Sequence, residues 1–258
     1  MHMGEAIARA FVAARRERRA LAEYPGALPA SLADAHAIQD FALSLVDTPV
    51  AGWKVGKIPP PMDQVLGRDR LEGPIFAGTV VEGDGCAMPV FEHGFAAAEA
   101  EYLLRIAAAP EPGKTDFTHE EAAALLDAVH IGIEIASSPF PGINALGPLV
   151  TISDFGNNHG MVIGAPVPDW RDGGFFDWPV ELRIDGEVAG SASARTMLDG
   201  PIGAAAFLFG TLARRGIAVH PGQWISSGAV TGVHPVRPGQ HVTAAFADMT
   251  VDCTIVAA

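Results

Sequence analysis

Apolar positions in the first part of the chain recur every three to four residues. In "MHMGEAIARAFVAARRERRALAEYPG" (1–26) they are interleaved with charges, which predicts an amphipathic helix whose "ARRERR" cluster is a solvated face. A second helix is predicted over 31–46, where Leu32, Ala35, Ile38, Phe41, Ala42 and Leu45 share one side and Ser31 with Asp34 forms a capping-box pattern. Beyond about residue 47 the helical period gives way to short apolar segments punctuated by turn residues. Strands are predicted at 51–57, 76–81, 94–107, 130–137, 161–165, 179–184, 187–190, 223–227, 241–247 and 250–257. Asp185-Gly186 supplies a hairpin turn, Thr118 with Glu121 caps a helix running to about 128, and Asp199-Gly200-Pro201 opens another that Gly216 closes.

Within that pattern, "GFAAAEAEYLLRIA" (94–107) carries two carboxylates in an apolar run. Alternate strand residues share a face, so Ala97, Glu99, Glu101 and Leu103 form one row and Ala98, Ala100, Tyr102 and Leu104 the other. Charged residues are mostly exposed, and a lone E-x-E reads first as a solvated strand face; buried, the pair would need a cation or hydrogen-bond donors to offset its repulsion. A third acid, Glu134, sits in "VHIGIEIASS" (129–138), where Ile131, Ile133 and Ile135 face one way and Gly132, Glu134 and Ala136 the other. It reads as a solvent-facing strand residue or, with small neighbours leaving room for a ligand, as the third member of an all-oxygen site suited to Mg²⁺ or Mn²⁺. In "AGWKVGK" (51–57), Lys54 shares its face with Gly52 and Gly56, which fits either a surface lysine or one that a ligand approaches closely.

Composition narrows the partner. The 258 residues are 49% hydrophobic and carry a formal net charge of −13, which argues against a nucleic-acid or anionic-membrane surface and for a small molecule. Two cysteines, Cys86 and Cys253, are too few for a disulfide scaffold and fit a reducing cytoplasm. No apolar run approaches the ~18 residues of a spanning helix, and no nucleophile elbow, P-loop, dinucleotide fingerprint or zinc-protease spacing is present.

The order of these segments resembles the fumarylacetoacetate hydrolase superfamily, in its branch of 2-keto-4-pentenoate hydratase, 2-oxohept-3-ene-1,7-dioate hydratase and 4-oxalocrotonate decarboxylase. The matching stretches are "LADAHAIQ", "GWKVGK" followed by "VLGRDRLEGPIFAGTV", "AAAEAEYLLRI", "HIGIEIASS", "TISDFGNNHGMVIG" and the run from "GPIGAAAFLFG" to "GQHVTAAF". The resemblance implies an α+β fold, with a helical N-terminal region over 1–75 and a mixed β-roll catalytic domain over 76–258. It implies a divalent metal, Mg²⁺ or Mn²⁺, on Glu99, Glu101 and Glu134, with Lys54 as the active-site lysine. It further implies substrate contacts from Gly78, Asp154, Asn158 and Ser227, a cytoplasmic homo-oligomer, and a lyase adding water to a 2-hydroxy-2,4-dienoate. Two positions depart from the hydratase pattern: Gly78 stands near where an aspartate is expected, and Phe155 replaces a polar residue after Asp154. These departures keep a 2-oxo acid decarboxylase open as the alternative, beside a non-catalytic binder of a metal and an oxo acid.

Overall fold

The structure, a computed structural model, describes residues 3–258. The expected first helix is α1 (Met3–Glu17), with Met1 and His2 outside the described residues, and the second is α2 (Leu32–Leu43). Ser31 caps α2 by accepting from Asp34 N at 3.1 Å; its hydroxyl in turn donates to the Asp34 carboxylate at 2.8 Å. The chain continues through β1 (Val50–Lys57), α3 (Met62–Leu66), β2 (Arg70–Phe76), β3 (Val80–Glu82), β4 (Cys86–Val90) and β5 (Phe95–Ile106). Next come α4 (His119–Ala124), β6 (Leu126–Ser138), α5 (Pro148–Ser153), β7 (Asn158–Pro166), β8 (Val180–Ile184) and β9 (Glu187–Ala192). The chain closes with α6 (Gly200–Arg214), β10 (Trp224–Ser226), β11 (His234–Pro235), β12 (His241–Phe246) and β13 (Met249–Ala257). No helix among the described residues is long and apolar enough to cross a membrane.

The 1–75 segment is helical in α1, α2 and α3 only, whereas β1 and β2 are members of the larger sheet. That sheet runs β2-β1-β10-β5-β6-β7-β3, with β11 on β5; a second sheet runs β4-β13-β12-β8-β9. The strand expected at 76–81 is split: β2 ends at Phe76, a 3₁₀ turn takes Ala77–Thr79, and only Val80–Glu82 resume as β3. β2 itself hides from apolar periodicity because "RLEGPIF" carries two charges, a glycine and a proline. The α4 helix is shorter than expected, because β6 begins at Leu126 to pair with the far end of β5.

The two sheets pack face to face. The Ala98–Ala100–Tyr102–Leu104 row of β5 and the isoleucines of β6 meet Leu182, Val242, Phe246, Val251 and Ile255 of the smaller sheet, and Leu208 and Phe209 of α6 extend the same core. The opposite face of the larger sheet carries Glu99, Glu101 and Glu134, and it too is covered. There α1 and α2 add a second cluster, in which Phe11, Tyr24 and Ile38 meet Phe140 and Phe155. β5 is therefore buried on both faces, and its acids cannot be a solvated row.

A separate buried acid ties the helices to the sheet. Glu72 on β2 is fully buried, with Arg68 Nη2 at 2.6 Å, Arg215 Nη1 at 2.7 Å and His36 Nε2 at 3.0 Å, so that α2, β2 and the end of α6 meet on one carboxylate. Burial alone would raise its pKa. The His36 hydrogen bond and the two guanidinium charges outweigh it and hold the group at about 2, against an ordinary 4.5.

Because the folded-state value lies below the unfolded one, the stabilisation is complete above about 4.5 and is lost as the pH falls through about 2. Glu72→Gln is therefore expected to lower the unfolding free energy at pH 7 by on the order of 3 kcal/mol. Urea titrations of both proteins between pH 7 and pH 2 should show the difference shrinking over the acid limb; a constant gap would mean that the charge is not what matters.

Candidate metal centre and cavity

Register brings the three acids together. Antiparallel pairing of β5 with β6 sets Glu99 directly opposite Glu134, and Glu101 follows on the same face of β5. Opposite Glu101 stands Gly132, where a Cβ would come within 2.3 Å of the Leu103 side chain, so only glycine lets the strands pack here. One carboxylate oxygen from each of Glu99, Glu101 and Glu134 falls within 4.8 Å of the others, the one such acid, histidine or cysteine group among the described residues.

The hydrogen bonds around these acids are lopsided. Glu101 Oε2 accepts from Ser226 Oγ and from Gly228 N at 3.0 Å, while its buried Oε1 has no partner. Glu134 Oε1 accepts from Asn158 Nδ2 at 2.8 Å and lies 3.2 Å from Lys54 Nζ, while its buried Oε2 has no partner. Buried polar atoms are nearly always satisfied. Two bare oxygens in a triad of carboxylates, with the other oxygen of Glu101 and of Glu134 tied back to the protein, form a donor set that fits a hard divalent cation. The formal charge agrees: three carboxylates and one ammonium sum to −2.

Lys54 on β1 is 4% exposed, and besides Glu134 its Nζ donates to Asn157 Oδ1 at 3.2 Å. Burial would lower its pKa, but Glu134, Glu99 and Glu101 together raise it above the usual lysine range, so the side chain is charged. Burial, opposed by Lys54 and reinforced by Glu134, pushes Glu99 up to about 7. Burial with Glu134 and Glu99 pushes Glu101 well above the usual carboxylate range.

The segment after α5 supplies the supports. Phe155, Gly156 and Asn157 have φ of 55°, 64° and 58°, three successive residues in the left-handed region. A Cβ at Gly73 would sit 2.1 Å from Phe155 O, so β2 needs glycine to let this turn approach. The turn presents Asn157 to Lys54 and Asn158 to Glu134. Asn157 also donates to Asn144 Oδ1 at 2.9 Å, which anchors the 139–147 loop.

A cavity of about 530 Å³ opens above the centre, with Lys54, Glu99 and Asn157 at one end. Of the residues expected to contact substrate, Ser227 lines it. Asn158 sits behind the wall, holding Glu134. Asp154 is buried elsewhere: Arg15 of α1 grips both its oxygens at 2.6 and 2.9 Å and Ser138 Oγ donates at 2.6 Å, so it anchors the N-terminal helix to the sheet. Gly78 lies exposed in the 77–79 turn, away from the cavity wall, and a Cβ there would meet nothing within 4 Å. Phe155 packs edge-on against Phe76 at 5.1 Å in the helix-side core. The sequence reading missed Asn157, Asn144 and Ser226. The last is placed by parallel pairing of Lys54 with Ser226 across β1 and β10, a long-range register that periodicity does not encode.

The chain is similar in structure to 4-oxalocrotonate decarboxylase from Pseudomonas putida G7 complexed with magnesium and adipate, with a TM-score of 0.82 at 20% identity over 98% of this chain and 97% of that one. Fumarylpyruvate hydrolase from Pseudomonas aeruginosa in complex with Mn²⁺ and pyruvate is similar over 82% of this chain and 91% of that one, with a TM-score of 0.58 and 17% identity. For 2-hydroxyhepta-2,4-diene-1,7-dioate isomerase from Mycobacterium marinum the values are 81%, 76%, 0.57 and 17%. No family model and no curated protein matches the sequence. The structural likenesses establish the fold, the α+β architecture of the fumarylacetoacetate hydrolase type that the sequence resemblance implied.

The charge imbalance has a measurable cost. With its folded-state pKa above the ordinary 4.5, Glu99 gives the metal-free protein stability that is complete below about 4.5 and lost as the pH rises through about 7. Glu101→Gln keeps an oxygen for Ser226 and Gly228 and removes a repelling charge. The metal-free variant is expected to be more stable than wild type at pH 8 by about 0.5–2 kcal/mol in thermal or urea unfolding; a loss of stability would show that Glu101 is not held at a cost.

Proposed function

We propose that this chain is a metal-dependent enzyme acting on a small 2-oxo acid, a lyase of the hydratase type. The observation that carries the reading is the pair of bare buried oxygens on Glu101 and Glu134, in a centre of formal charge −2 whose Glu99 and Lys54 line the cavity. Glu99, Glu101 and Glu134 would hold the cation, Mg²⁺ or Mn²⁺, which when bound polarises a 2-oxo group and stabilises negative charge on its oxygen. The similar proteins complexed with magnesium and with Mn²⁺ and pyruvate support that assignment.

Lys54 does the rest from the protein side. Its charged Nζ attracts the substrate carboxylate to the Glu99 end of the cavity and is a proton donor to substrate carbon as the conjugated system shifts. Asn157 keeps the ammonium aimed, and Asn158 keeps Glu134 in place. Hydration asks for a group to take a proton from water, and no lining side chain is free for it: the lining acid, Glu99, belongs to the metal set, and Asp154 is bound by Arg15. His159 is also unsuited, held by burial and by Arg15 and Arg18 down to about 3. This absence among the described residues, with the full-length likeness to a decarboxylase, supports decarboxylation of a 2-oxo acid as the second reading. As for assembly and compartment, the proposal is a cytoplasmic homo-oligomer, and the two free cysteines fit reducing surroundings.

A panel of 2-hydroxy-2,4-dienoates and unsaturated 2-oxo dioates tests the reading: addition of water identifies the hydratase, release of CO₂ the decarboxylase, and no turnover a binding protein. Saturating Mg²⁺ at one hundred times its Kd is expected to stabilise wild type by about 2.7 kcal/mol and to leave the Glu99/Glu101/Glu134→Ala triple variant unshifted. Equal shifts in both proteins would put the metal elsewhere. Lys54→Met is expected to lower kcat by about 10²–10⁴-fold in the Mg²⁺-loaded protein; wild-type turnover in that variant would remove Lys54 from the chemistry.

A further inference from the structure

The cavity is much larger than its charged end. From Lys54 and Glu99 it extends along β1 towards Lys57, and its walls there are Met62, Leu71, Met197, Leu198, Val230 and Val233. Leu198 and Val233, 44% and 48% exposed, are two of the few large apolar side chains left open to solvent, and both line this cavity. Most of the polar side chains among them are already engaged. Thr151 Oγ1 donates to Ile143 O at 3.1 Å, Thr196 Oγ1 to Ser193 O at 2.8 Å and Ser227 Oγ to Tyr102 O at 2.7 Å, and Arg70 is paired with Asp199. Lys57 and the amide nitrogen of Asn144 are left, both exposed to solvent, Lys57 about 10 Å along the strand from Lys54. A solvated lysine adds little to the binding of a distal carboxylate.

Resting on the 2-oxo acid reading above, the geometry points to a substrate whose tail is apolar: a 2-oxo acid, or its dienol, bearing an alkyl or aryl group that Leu198, Val233 and Met197 cover. Such a tail has no distal carboxylate to lose, so within that reading it favours addition of water over release of CO₂.

Calorimetric titration of the Mg²⁺-loaded protein with pyruvate, 2-oxohexanoate and 2-oxoadipate tests this, the last two differing by a terminal methyl against a carboxylate. A buried methylene is worth about fourfold in affinity, and 2-oxohexanoate is expected to bind at least about tenfold more tightly than either of the others. In the Leu198→Ser/Val233→Ser double variant that advantage should fall to about threefold or less. Pyruvate binding with no gain from the longer chain overturns this inference alone. So does tighter binding of 2-oxoadipate than of 2-oxohexanoate, whichever of Lys57, Arg70 and Asn144 holds the distal carboxylate. A double variant that dissociates an oligomer in sedimentation while keeping the tail's full advantage assigns the two side chains to a second copy of the chain and overturns it too. No Mg²⁺-dependent binding of pyruvate would sink the 2-oxo acid reading, and this one with it.

Discussion

Three carboxylates and one ammonium share a volume that water scarcely enters, and the protein around them is arranged to bear that cost. Each buried ion forfeits several kcal/mol of hydration, and one lysine cannot offset three acids. The fold answers with directed donors: Ser226 and Gly228 on Glu101, Asn158 and Lys54 on Glu134. Those donors come from β1, from β10 and the second residue beyond it, and from the start of β7, so the larger sheet has to close in its observed order before the charge is tolerable. What the donors leave uncovered is Glu99, one buried oxygen on each of Glu101 and Glu134, and two units of formal negative charge, the complement of a divalent ion.

The same economy recurs at Glu72 and Asp154, with the opposite purpose. There arginines saturate the acid completely, and the buried pair acts as a clasp between helices and sheet, α2 and α6 to β2 in one case and α1 to the edge of the centre in the other. Comparing the three burials shows what distinguishes a structural acid from a chemical one: structural acids have every oxygen spoken for, and the central ones do not.

Much of this was legible in the sequence. Strict alternation identified β5 and β6, placed Glu99, Glu101 and Glu134 on their faces, and put Lys54 between two glycines; the structure brings all four residues together. Alternation could not say whether the E-x-E row met water, because that depends on what covers the sheet. β2 escaped notice because its charges are satisfied by partners up to 143 residues away, which a local window reads as loop. Gly78 and Asp154 were assigned by motif position, and the structure gives one to an exposed turn and the other to Arg15. Asn157 was passed over in favour of its neighbour, since nothing local signals a run of left-handed residues in "DFGNN".

That run carries an implication for how the segment can vary over evolutionary time. Asn157 and Asn158 are the same residue type, adjacent in the chain, yet one offers its amide oxygen to a cation and the other its amide nitrogen to an anion. A substitution at either leaves the chain path in place, although Asn157, at a φ of 58°, stands where asparagine is favoured over most side chains. Adding or removing a single residue in this turn would instead carry the amides off Lys54 and Glu134, and Gly73 leaves the backbone no slack to correct it. Between α5 and β7 a lineage descended from this chain is freer in spelling than in length.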